Sequence, residues 1–196
     1  MLFINIVMKI CNVSSQGFGA NFINKTKILK NIENTRSYNE CEAVIAKIDV
    51  TNINDIKALD KVAKYWQDSK FALNIYYAAC AKKDNSKYYK DNDIFVLSSQ
   101  TRDFDKLDSE KILGLLQVNK MPDKSMFIEH IEVKPSIINT VPSVYKECGT
   151  QLLNFLKSIT EQISCFPSCT KTVKNFYRKN DFQEIPANSN LFIWKK

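Results

Sequence analysis

The sequence predicts an α+β domain built around a mixed, mostly antiparallel sheet with helices on its faces. Three observations carry that expectation. Short blocks rich in β-formers occur at 42–50, 94–98, 112–118, 126–133, 163–166 and 191–195. Helical steps separate some of them, at Ile56, Leu59, Ala63 and Trp66, and again at Val144, Cys148, Leu152, Phe155 and Ile159. The order is a run of strands followed by helix–strand alternation, which argues for an α+β or mixed-sheet domain.

The elements follow in turn. Residues 1–42 differ from the rest: Ser14-Ser15-Gln16-Gly17-Phe18-Gly19 is turn chemistry, and the stretch after it is rich in Asn, Lys and Ser. They are expected to form a partly ordered N-terminal extension, with Met1–Val13 available as an edge strand, and to be dispensable for ligand binding. The folded domain is expected to span 43–196. Glu42–Val50 is its first strand. Asn52 and its neighbours offer capping side chains for a first helix, and Phe71–Ala81 is a second helix. Lys82–Asp93 is a polar loop. The strands Ile94–Ser98, Ile112–Val118 and Met126–Val133 are joined by loops rich in Asp, Lys and Ser, as an antiparallel meander requires. A long helix from Val144, the strand Ile163–Phe166, a helix over Cys169–Lys179 and the strand Leu191–Lys195 complete the chain.

Bulk composition narrows the function classes. At 196 residues, 44% hydrophobic and 25% charged, the chain has the length and composition of one ordinary globular domain. No apolar run reaches about 18 residues, so no transmembrane helix is expected. Met1–Met8 lacks a basic start and a cleavage site, so no signal peptide is expected. The net charge of +7 is spread over scattered lysines, which solubility explains; an anionic partner is the alternative. The sequence lacks the interleaved basic and aromatic strand signature of nucleic-acid readers. Cys11, Cys41, Cys80, Cys148, Cys165 and Cys169 sit mostly in apolar contexts, as buried thiols of a reduced cytoplasmic protein do. Cys165-x-x-x-Cys169 has no matching second pair and His130 is the one histidine, so no metal site is expected.

Two segments point to chemistry. One is Tyr145-Lys146-Glu147-Cys148-Gly149-Thr150-Gln151, opening the long helix after Val133-Lys134-Pro135. The other is Asn175-Phe176-Tyr177-Arg178-Lys179-Asn180-Asp181-Phe182. Together, in this strand–helix–strand–helix order, they resemble the acyl-CoA-binding half of the GNAT superfamily of N-acetyltransferases. The resemblance covers about residue 43 to the C-terminus and is densest over the last 70 residues or so. It implies a GNAT-like fold with the central sheet splayed between its fourth and fifth strands, Met126–Val133 and Ile163–Phe166.

The resemblance also implies roles. Gln/Arg-x-x-Gly-x-Gly/Ala in the family corresponds to Lys146, Gly149 and Gln151. Backbone groups of Lys146, Glu147, Cys148, Gly149, Thr150 and Gln151 would hold the CoA pyrophosphate at a helix N-terminus, where first-turn N–H groups lack partners. Gln151 replaces a small residue and is expected either to crowd the phosphates or to tilt them. Ile131 and Val133 would bind pantetheine through their backbones. Phe176-Tyr177-x-Lys179-x-Asp181-Phe182 matches Phe-Tyr-x-Lys-x-Gly-Phe except at Asp181, which tolerates a left-handed helix end better than most residues. Tyr177 falls at the family's general acid, and packing alone also explains it. Thr170 stands where the family often has a cofactor-binding Asn. Glu129 is the candidate proton acceptor, with His130 and Glu132 beside it; strand alternation separates Glu129 from the other two unless a bulge intervenes.

The implied activity is transfer of an acetyl group from acetyl-CoA to an amine, on a small molecule or a protein, by direct attack in a ternary complex. No metal, membrane or nucleic acid is required, and a homodimer is compatible. Two alternatives stay open: a GNAT-shaped CoA-binding or interaction module without turnover, and a basic nucleic-acid-binding protein.

Overall fold

A computed structural model describes residues 20–32, 36–66, 70–102, 106–135, 143–185 and 190–196. The strands are β1 (Asn21–Asn31), β2 (Tyr38–Lys47), β3 (Asn92–Ser98), β4 (Ile112–Lys120), β5 (Met126–Val133), β6 (Tyr145–Lys146), β7 (Gln162–Cys165), β8 (Gln183–Glu184) and β9 (Phe192–Lys195). The helices are α1 (Ile53–Tyr65), α2 (Lys70–Lys83), α3 (Cys148–Ile159) and α4 (Lys171–Lys179). The described strands form one sheet in the order β6-β1-β2-β3-β4-β5-β7-β9-β8. All neighbours are antiparallel except β5 and β7.

The apolar blocks read as central strands are central because both faces are covered. Every residue of β3 is buried. Ile94 and Val96 pack with Leu59, Val62 and Ile75 of α1 and α2. Phe95 and Leu97 face the other way, with Leu152, Phe155 and Leu156 of α3. Phe95 and Phe155 meet edge-on, their ring centroids 5.0 Å apart.

Three helix ends show how the chain sets its boundaries. Asn52 caps α1 by accepting from the Asn54 N–H at 2.9 Å. Thr170 caps α4 by accepting from the Val173 N–H at 3.4 Å. At the far end of α4, Asp181 adopts φ 62°, and the Phe182 N–H reaches the Tyr177 carbonyl at 3.1 Å. Lys157 covers the same end, donating to the Asn180 carbonyl at 2.7 Å and pairing with Asp181 at 3.1 Å. The left-handed turn is therefore made by an aspartate with a lysine partner.

Two boundaries depart from expectation. Residues 21–31 and 38–42 are strand, so the domain does not begin at 43; the suggested edge strand at Met1–Val13 lies outside the described residues. β1 is polar because it is near the sheet edge: only Ile28 is fully buried, while Lys25, Lys27 and Lys30 carry no apolar alternation. Similarly, Val144 is 55% exposed and not helical. Tyr145–Lys146 pairs with Leu29–Lys30 as a strand before α3 starts. The spacing of Val144 to Cys148 fits a helix, but the chain needs those residues to dock on β1.

A chain starting at Glu42 loses β1 and the beginning of β2, uncovering buried Ala43 and Ile45 at the sheet edge. It is expected to show no cooperative urea transition, measured by circular dichroism. Retention of a sharp transition would return residues 20–41 to the status of an appendage.

Asp55 is fully buried and accepts from the Asp49 N–H at 3.0 Å. Burial pushes its carboxyl up to about 6, although backbone hydrogen bonds from Asp49 and Ala20 oppose this. A folded pKa above the unfolded value of about 3.9 stabilises the protein most below that value and loses the effect as pH rises through the folded pKa. Relative to Asp55→Asn, the wild type should lose on the order of 2–3 kcal/mol between pH 4 and pH 7.5. Urea melts of both proteins across that range test this; a constant difference would show that Asp55 does not titrate there.

Candidate active site

The parallel pairing of β5 with β7 stops early. Met126, Phe127 and Ile128 pair with Ile163, Ser164 and Cys165, and no described strand pairs with Glu129–Val133 on that side. The sheet opens into a cleft of about 930 Å³. Its walls are Ile128–Pro135, the turn 143–150 entering α3, and 165–168 after β7. Thr172, Val173, Phe176 and Tyr177 of α4 close it.

The cleft brings together Tyr177, Glu129, Ile131, Val133, Lys146, Glu147, Cys148, Gly149 and Thr150. Gln151 and Thr170 do not line it. Gln151 turns toward β1, accepting from the Thr26 hydroxyl at 2.7 Å, so its side chain does not crowd the mouth. Thr170 spends its hydroxyl on the α4 cap.

At the mouth, α3 begins without a side-chain cap. Glu147 is its N-cap in a left-handed conformation, φ 66°, and makes no capping hydrogen bond. The first-turn N–H groups of α3 thus keep their capacity for an anion. Lys146 stands beside them, its Nζ 3.9 Å from the Tyr38 ring centroid. The Tyr38 hydroxyl in turn donates to the Ser143 carbonyl at 3.1 Å. Gly149 is required by close approach: a Cβ there would lie 3.0 Å from Phe176 Cζ.

At the floor, Tyr177 is 4% exposed and hydrogen-bonded to the Cys165 thiol. Its ring meets Phe176 and Phe182 edge-on, at centroid distances of 5.2 and 5.3 Å. Burial raises the phenol pKa, with Cys165 adding to the shift, so the hydroxyl keeps its proton. Burial also pushes the Cys165 thiol up to about 12 and the Cys148 thiol up to about 11. Neither is a ready thiolate nucleophile.

Along β5 the register slips. His130 faces Gln117 and Ile128 faces Val118, which leaves Glu129 as the extra residue of a bulge. The alternation expected for Glu129 and His130 therefore does not apply, and both line the cleft. Glu129 is solvent-exposed, yet partial burial of its carboxyl raises its pKa against a hydrogen bond from Asn119. His130 stacks on Phe71 at 5.1 Å, and burial lowers its pKa.

The Tyr177–Cys165 contact had no signal in the sequence, since it joins a strand end to a helix across a loop. Phe176 was visible within its motif, but not its place over Gly149. Among the described residues no group of three or more His, Cys, Asp or Glu gathers to hold a metal, and no helix is long and apolar enough to cross a membrane.

No family model matches the sequence, and no curated protein does. Solved structures do match in shape. A protein from Exiguobacterium described as an acetyltransferase superposes with a TM-score of 0.51 at 14% identity, over 79% of this chain and 94% of that one. A GNAT-family acetyltransferase from Bacillus cereus gives 0.49 at 13% identity, over 79% of this chain and 97% of that one. This chain has the GNAT fold. Within that fold, the opening between β5 and β7 is the expected splay of the fourth and fifth strands; β1 and β6 account for the change of count.

Replacing Gly149 by Ala should force Phe176 aside by a few tenths of an ångström or more. The expected readout is a shifted Phe176 ring signal by NMR together with a modest loss of stability, about 1–3 kcal/mol. An unperturbed ring and unchanged stability would mean that α3 and α4 sit farther apart than described.

Proposed function

We propose that the chain is an N-acetyltransferase that binds acetyl-CoA in the β5–β7 cleft and transfers its acetyl group to an amine. The observation that carries this reading is the alignment of two features on one cleft. An uncapped helix start with a lysine beside it lies at the mouth, and a buried, protonated phenol lies at the floor. The first turn of α3, over Cys148, Gly149 and Thr150, would hold the pyrophosphate. The unpaired edge of β5 at Ile131 and Val133 would receive pantetheine through backbone hydrogen bonds. Acetyl-CoA supplies a thioester whose carbonyl an amine can attack.

The chain's own groups then handle protons. Glu129 or neutral His130 accepts the proton that the amine must lose, directly or through water. Tyr177 holds a proton for the departing sulfur. The raised thiol pKa values of Cys148 and Cys165 support direct transfer over a covalent enzyme intermediate.

A second reading is a CoA binder without turnover. The Tyr177 hydroxyl favours it, because it is already paired with Cys165 and its raised pKa makes it a weaker acid. Tyr177→Phe separates the two. If the phenol serves the leaving thiolate, kcat should fall about ten- to a thousandfold while acetyl-CoA affinity and fold persist. An unchanged kcat would leave Tyr177 as a packing residue of the aromatic cluster. Gly149→Glu should weaken acetyl-CoA binding by adding charge and bulk at the mouth. Equal calorimetric affinity would place the pyrophosphate elsewhere.

A further inference from the structure

We propose that a second, polar pocket on the α2 side of the sheet seats the amine acceptor. It selects small amines on a hydroxylated skeleton that carries no acidic group. The assignment rests on the acetyl-transfer reading above.

The pocket measures about 500 Å³ and lies between α2, the turn at Tyr88–Tyr89, the start of β3, the end of β4 and the bulge in the middle of β5. It shares Glu129 and His130 with the cleft, so the β5 bulge stands at the junction of the two. An amine held there would approach the thioester past the side chains able to take its proton.

The lining states what kind of molecule fits. Gln117, 3% exposed, donates through Nε2 to Asn92 Oδ1 at 2.5 Å, while its Oε1 is buried without a partner. A buried carbonyl left unpaired is costly and calls for a donor. A hydroxyl answers the need in either orientation of the amide, since it both donates and accepts. Tyr77 and Tyr88 stand at the rim, 57% and 77% exposed. Their broad ring faces with polar tips suit a compact ring bearing hydroxyls better than a greasy chain. Glu129 is the acidic group of the lining, and the lowered pKa of His130 leaves it uncharged near neutral pH. Lys82 and Lys120 are held by Asp93. An acceptor with its own carboxylate would meet Glu129 with no cation among the described lining residues to offset it.

The test uses the full chain saturated with coenzyme A, titrated with three probes: glucosamine, cyclohexylamine and glutamate. Glucosamine should bind about tenfold or more tighter than cyclohexylamine, and glutamate should bind weakest. Tyr77→Ala and Gln117→Leu should each weaken glucosamine about tenfold while coenzyme A affinity stays within about twofold. Tyr77 is exposed, so that variant is expected to fold even if the Gln117 variant does not. The proposal is overturned if cyclohexylamine or glutamate binds as well as glucosamine, if Tyr77→Ala changes nothing, or if glucosamine shows no binding up to about 50 mM. Failure of the wild type to bind coenzyme A would sink the transfer reading instead, and amine titrations of the protein alone would still decide the pocket.

Discussion

The three-residue parallel pairing of β5 with β7 is the constraint on which the rest of the molecule depends. Had the pairing continued, the sheet would be closed, and α3 and α4 would pack across it with no gap between. Because it stops at Ile128, the following backbone of β5 has its β4 partner on one side and none on the other among the described strands. Exposed backbone donors and acceptors in a cleft are either hydrated or bound. The same interruption lets Tyr177 of α4 reach Cys165, the last residue of β7, so the aromatic floor and the open edge have one cause.

The bulge at Glu129 is the second local irregularity, and it sits opposite Gln117 and Val118 on β4. A regular strand would send consecutive side chains to opposite faces. The extra residue brings Glu129 and His130 to one place, between the cleft and the polar pocket. Burial raises the pKa of the carboxyl, which strengthens its carboxylate as a base, and lowers that of the imidazole, which favours the neutral form able to accept a proton.

Legibility in the sequence followed burial. β3 and β4 carry apolar runs because their faces are covered, β5 alternates more weakly beside the cleft, and the limits of all three came within a few residues of those expected. β1 was unreadable because only Ile28 of it is buried and lysines interrupt the rest, so no apolar alternation marks the strand. Within the candidate site, the sequence was readable where residues act through local conformation. Gly149 and Asp181 both answer demands of a turn or a close approach. It was unreadable where residues act through distant partners. Nothing near Gln151 announces Thr26, and nothing near Cys165 announces Tyr177.

The β1–β2 hairpin clamps the turn that enters α3. Leu29 and Lys30 pair with Lys146 and Tyr145, Thr26 reaches Gln151, and Tyr38 holds both Ser143 and Lys146. These partners are 105 to 125 residues apart in the hydrogen bonds that join them. During synthesis the hairpin emerges long before the turn it is to hold, so the mouth of the cleft must be among the last parts to assemble. Long loop closure of this kind slows folding and leaves an unpaired strand edge waiting in the nascent chain. β6 covers that edge only at Leu29 and Lys30, so the lysines along β1 also place charge on an edge that no other described strand pairs with, which discourages neighbouring chains from pairing there.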